Sequence, residues 1–140
     1  LETLHASVAE RWVGRVAQLR VPIDVSLPFA DRVDSFVAQR GQLLEAVTPI
    51  RRAAAVHGPF SVEITARLRD GQAFLRAEVE TVFAPELSGS RAEQLDALDM
   101  ACSWAVWEGL RAGLGRSEAE AAATMRHSVV ALVGPDATTG

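Results

Sequence analysis

The chain has no tyrosine and no lysine: three tryptophans and five phenylalanines are its whole aromatic set, and all fourteen basic residues are arginine. A single cysteine, Cys102, excludes an intramolecular disulfide framework and suits a reducing, cytoplasmic setting. No apolar run approaches the roughly 20 residues of a membrane span, and no basic-then-apolar segment marks export. The formal net charge is −4, and apart from Arg51-Arg52 the arginines are scattered, so the clustered positive face of a nucleic-acid binder is missing. There is no HExxH, glycine-rich phosphate loop, nucleophile elbow or cysteine pair for zinc. These absences point away from an enzyme and leave no residues set aside for a metal or cofactor.

What is present is 140 residues, 49% of them hydrophobic, enough for one domain with its own core. The spacing predicts an all-α fold of about six helices. Leu4, Val8, Trp12, Val16 and Leu19 form the apolar stripe of an opening helix. Residues 20–28 alternate in polarity, but Pro22 and Pro28 make an extended linker the better reading than a strand. Val33, Phe36, Val37, Leu43, Leu44 and Val47 resume the helical period. Thr48-Pro49 has the form of an N-cap and first helical residue, which predicts a break and a short new helix closed by Gly58-Pro59. A helix over about 61–83 follows. Two capping boxes, Ser90 to Glu93 and Ser117 to Glu120, open helices over about 91–113 and 118–133. Residues 135–140 read as a frayed, flexible tail.

The helix over 91–113 holds two tryptophans among small residues. On a continuous helical wheel Leu95, Leu98, Cys102 and Val106 share one face, while Met100, Trp104, Trp107 and Leu114 lie roughly opposite. Either this is a central helix surrounded by neighbours of its own chain, or one face closes the domain's core and the other meets a second subunit. The last helix is also apolar over a wide arc. Trp104, Trp107, Ala122, Met125, Val129 and Val133 are therefore expected at a homodimer interface, with the last two helices of each copy forming an intermolecular four-helix bundle.

The order of these parts resembles the C-terminal regulatory domain of TetR/AcrR-family bacterial transcription regulators over residues 1–134. The likeness rests on "LETLHASVAERW", on "FADRVDSFVAQRGQLLEAVTPIRRAA" and on the closing "SWAVWEGLRAGLGRSEAEAAATMRHSVVALV". It implies a homodimer with a small-molecule effector pocket that controls DNA binding by an N-terminal helix-turn-helix. That head is absent from this chain, so DNA would be a partner of the parent protein only. The competing expectation is a helical protein-interaction module with a non-self partner.

Candidate pocket residues are Trp12, Phe36, Arg40, Leu43, His57, Phe60, Leu75 and Met100. Arg40 interrupts an apolar stripe and needs a partner: a carboxylate such as Asp96 or Asp99, or an anionic ligand. His57 serves either the negative end of its helix or a pocket wall. Cys102, among alanine, leucine and valine, reads as an inert buried thiol. Asp96, Asp99 and Glu93 read as a solvated or salt-bridged edge rather than metal ligands.

Overall fold

The computed structural model describes residues 10–11, 14–57, 62–87 and 91–135, and among them it contains helices and no strand. Residues 14–18 are helical. Five helices follow: α1 (Phe29–His57), α2 (Val62–Val82), α3 (Arg91–Ala101), α4 (Trp104–Glu108) and α5 (Glu118–Val133). The π turn Gly109–Gly113 continues α4. Among the described residues no helix is long and apolar enough to cross a membrane.

The link between residue 20 and α1 is irregular, as its prolines predict. A turn at Asp24 is held by Ser26, whose N–H and hydroxyl both donate to Oδ1 at 2.9 and 2.6 Å. These contacts and the charge they disperse hold the Asp24 carboxyl below its usual value. Arg32 anchors the start of α1 from inside. Its guanidinium donates to the carbonyls of Val82 (2.9 Å) and Leu27 (3.2 Å) and to the Glu86 carboxylate.

The expected break at Thr48-Pro49 does not occur: α1 runs through both residues. An interior proline removes the partner of the carbonyl four residues back, here Glu45, at a cost of about 3 kcal/mol. Leu43, Leu44 and Ile50 are buried on the same helix, and that packing offsets the cost. Thr48 is not a cap. Its hydroxyl donates back to the Leu44 carbonyl at 2.7 Å, the bond a threonine makes inside a helix.

The expected helix over 91–113 is instead broken at Cys102–Ser103. Ser103 adopts an extended backbone (φ −84°, ψ 158°) and caps α4, accepting from the Val106 N–H at 3.3 Å. Its hydroxyl also donates to the Met100 carbonyl at 2.7 Å. The joint resets the helical phase, so Leu98 and Cys102 before it and Trp107 after it all point into one core.

That core draws Val33, Phe36, Val37 and Leu44 from α1, Val79 and Val82 from α2, and Leu95 and Leu98 from α3. Ala121, Met125, Val129 and Val133 come from α5, which packs on α1 and α3. Phe83 lies edge-on to Phe36, with ring centroids 5.2 Å apart. Gly115 turns the chain into α5 with φ +68°, a left-handed conformation that favours glycine. The expected capping box at Ser117 is present, with both reciprocal bonds to Glu120 formed.

Four residues of the sequence-based dimer face are therefore corrected. Trp107, Met125, Val129 and Val133 are buried within their own chain, and Trp104 and Ala122 are partly buried against the same core. A side chain with almost no accessible surface cannot meet a second copy. A wheel drawn through an unbroken helix sent the indoles outward, and the joint at Ser103 turns them in.

Candidate functional site

Between α1, α2 and the α3–α4 joint lies a cavity of about 500 Å³, within the range that ordinary ligand pockets occupy. Its walls follow from the apolar stripes of the helices. Leu43, Leu44, Val47 and Ile50 come from α1, Leu68 and Leu75 from α2, and Val16 from the helical stretch before them. Met100 and Trp104 close the side facing the joint, with Met100 on the rim and 63% exposed. Gly71 leaves room for the Arg20 guanidinium, since a Cβ there would stand 3.2 Å from Nη2.

Charged groups are set into these walls. Arg40 is 1% exposed and caps the inner end. Its fork donates to the carbonyl of Cys102 at 3.1 Å, to that of Leu75 at 3.0 Å and to the Glu78 carboxylate at 3.1 Å. The guanidinium carbon also lies 4.7 Å from the centre of the Phe36 ring. The carbonyl that the joint frees at Cys102 is thus taken up by Arg40. The partner of Arg40 is Glu78, one turn from Leu75, and not Asp96 or Asp99 as the sequence suggested. Those two aspartates face Arg76, which donates to Asp99 at 3.0 Å and to Asp96, and the double contact raises its pKa.

Two further arginines, Arg20 and Arg51, line the cavity. Arg51 lines the cavity with its guanidinium 5.7 Å from the centre of the Trp104 ring, and burial pulls its pKa down. Arg20 lies 4.4 Å over the Phe74 ring. Among the described residues neither has a carboxylate within salt-bridge reach, and the Nε–H groups of Arg20, Arg40 and Arg51 are buried without an acceptor. A buried donor left unpaired costs about 1–3 kcal/mol. Arg52, next in sequence, points away and pairs with Glu108 at 2.6 Å, which raises the Arg52 pKa and lowers that of Glu108.

Trp104 in the cavity wall and Trp107 in the core behind it are each held by a polar contact at the ring edge. The Trp104 N–H donates to the Thr48 hydroxyl at 3.0 Å. The Trp107 N–H donates to Glu45 at 2.6 Å, and Arg111 grips the same carboxylate at 2.9 and 3.2 Å. Cys102 also touches the cavity wall, but burial pushes its thiol up to about 12 and keeps it protonated.

Of the expected pocket residues, Arg40, Leu43, Leu75 and Met100 line the cavity. Phe36 does not: its ring is committed to the core against Phe83. Trp12, Phe60 and the side chain of His57 lie outside the described residues. Sequence reasoning missed Arg20, Arg51 and Arg76, and assigned Trp104 to an interface when it forms a cavity wall. The visible signal for Arg51 was its position one turn after Val47 on the apolar side of α1, with Arg52 turned about 100° away.

No family model, curated protein or solved structure matches this chain.

Proposed function

We propose that this chain is an effector-binding domain of the kind found in TetR/AcrR-like regulators, holding a small organic molecule in the cavity between α1, α2 and the α3–α4 joint. The observation that carries this reading is the cavity itself: about 500 Å³, apolar over most of its wall, with a few convergent guanidinium groups. An effector bound there touches α1, α2 and the joint together. It favours whichever arrangement of these helices gives it better contacts, and a linked DNA-reading head would feel that preference.

Self-association is the second part of the proposal. The indoles no longer support it. What supports it is the outer side of α5, where Ala119, Ala123, Val130 and Ala131 are exposed, together with exposed Leu114 before it. Small side chains of this kind allow a helix from a second copy to approach closely.

Screening a library of small organic compounds by thermal denaturation tests the first part. A binder should raise the melting temperature saturably, and Leu75→Trp, which fills the cavity, should abolish the rise. Binding that survives the filled cavity would sink the reading. Light scattering at micromolar concentration tests the second part, and a stable monomer would remove it.

A further inference from the structure

Resting on the ligand-binding reading above, we propose that the cavity selects an amphipathic organic acid: an apolar body against Leu43, Val47 and Leu75, and a carboxylate against the guanidinium of Arg51. The preference follows from how charge is distributed around the cavity wall. Five arginines and two aspartates line it. Both aspartates are committed to Arg76, and Arg40 is committed to Glu78. Arg67 has a long contact of 3.8 Å with Glu10 at the exposed edge. Arg51 and Arg20 remain with aromatic faces beside them and no carboxylate among the described residues.

Arg51 is the better anchor of these two. It is half-buried and drawn out of water by the cavity wall, and its Nε–H has no acceptor among the described residues. The planar fork of a guanidinium matches a carboxylate with two parallel donors. The face of Trp104, its centre 5.7 Å from the guanidinium carbon, favours the guanidinium on that side of the cavity before a ligand arrives, which limits the ordering cost of binding. A cationic ligand meets the opposite situation, because among the described residues the lining carboxylates already have a partner and the charges left without one are positive. A neutral ligand of the same shape gains the apolar contacts alone.

The test uses three probes of one chain length, octanoate, 1-octanol and octylammonium, titrated calorimetrically into the wild-type protein and into Arg51→Met and Arg51→Gln. Far-UV circular dichroism and melting temperature verify that each variant is folded. Octanoate should bind at least tenfold more tightly than 1-octanol, and octylammonium more weakly than either. Both substitutions should bring octanoate to the affinity of 1-octanol while leaving 1-octanol within twofold of wild type. Equal binding of octanoate and 1-octanol to the wild type, or unchanged octanoate binding in both folded variants, would overturn the acid preference and leave the ligand cavity standing. If none of the three probes binds the wild type, the acid proposal falls, and the ligand-binding reading is decided by the library screen.

Discussion

Gly41 lies directly beneath the indole of Trp107: a Cβ at that position would stand 3.2 Å from Cη2 and 3.7 Å from Cζ3. Trp107 is 1% exposed and bonded to Glu45 through its N–H, so the ring has little freedom to retreat. Glycine inside a helix costs about 1 kcal/mol relative to alanine. Gly41→Ala recovers that amount and loses a similar one to the tight contact, so its stability should stay within about 1 kcal/mol of wild type. Gly41→Val forces the ring outward and should cost about 1–3 kcal/mol in urea denaturation. A Gly41→Val protein as stable as wild type would show that the indole does not sit there.

Arg40, which lines the cavity, clasps Glu78 and the carbonyls of Leu75 and Cys102. Arg40→Ala strands the Glu78 carboxylate, whose side chain is 10% exposed, and the carbonyl of Cys102. Removing one member of a buried pair costs about 3–5 kcal/mol. Replacing both members by apolar residues is far milder, so Arg40→Met with Glu78→Leu should recover much of the loss. Denaturant midpoints of the two single variants and the double variant check this. A double variant no better than the worse single one would contradict it.

Acid should weaken the fold through Glu45. Its carboxyl is held below the ordinary value chiefly by the hydrogen bond from Arg111, then by the N–H of Trp107, against the opposing effect of burial. A lowered folded-state pKa means stabilisation that is fully present above the unfolded value of about 4.3 and lost as pH falls through the folded one. Stability should decline between about pH 5 and 3, and Glu45→Gln should flatten that slope. The glutamine oxygen still accepts from Trp107 and from Arg111 Nε, while its amide nitrogen cannot accept from Arg111 Nη2, so the variant removes the charge together with one hydrogen bond. An unchanged slope in Glu45→Gln would place the titration elsewhere, for instance on Glu108 beside Arg52.

The Cys102 thiol should resist alkylation. With its pKa pushed up to about 12, mainly by burial, the thiolate at pH 8 is about a thousandfold scarcer than in a free cysteine. Iodoacetamide labelling of the folded protein should be slow and should accelerate on adding urea. Rapid labelling without denaturant would show that the wall at Cys102 opens.

Much of the fold was legible because the apolar residues keep a helical period: the spans of α2 and α5 and the part of α1 before Thr48 follow from it, and the Ser117 to Glu120 spacing marks the cap. The misread places share one cause, the dominance of tertiary contacts over local signals. Thr48-Pro49 carries the marks of a helix start, yet burial on both sides of it keeps α1 continuous. Ser103 carries no strong mark of a break, and its joint becomes favourable only where Arg40 accommodates the freed carbonyl of Cys102. Arg40 could be found as a charge within an apolar stripe, but its partner on α2 lies 38 positions away and no local pattern selects it. Arg51 was hidden by Arg52, because two adjacent charges read as surface until the helix divides them between cavity and solvent.

The joint at Cys102–Ser103 also has a spectroscopic consequence. Trp104 faces the cavity with a hydroxyl at its N–H, whereas Trp107 is sealed in the core with a carboxylate at its own. Two fluorophores only three positions apart in the chain therefore sense unlike surroundings. With Trp12 also replaced by phenylalanine, Trp107→Phe leaves one emitter that monitors whatever enters the cavity, and Trp104→Phe leaves one that monitors the integrity of the packed interior.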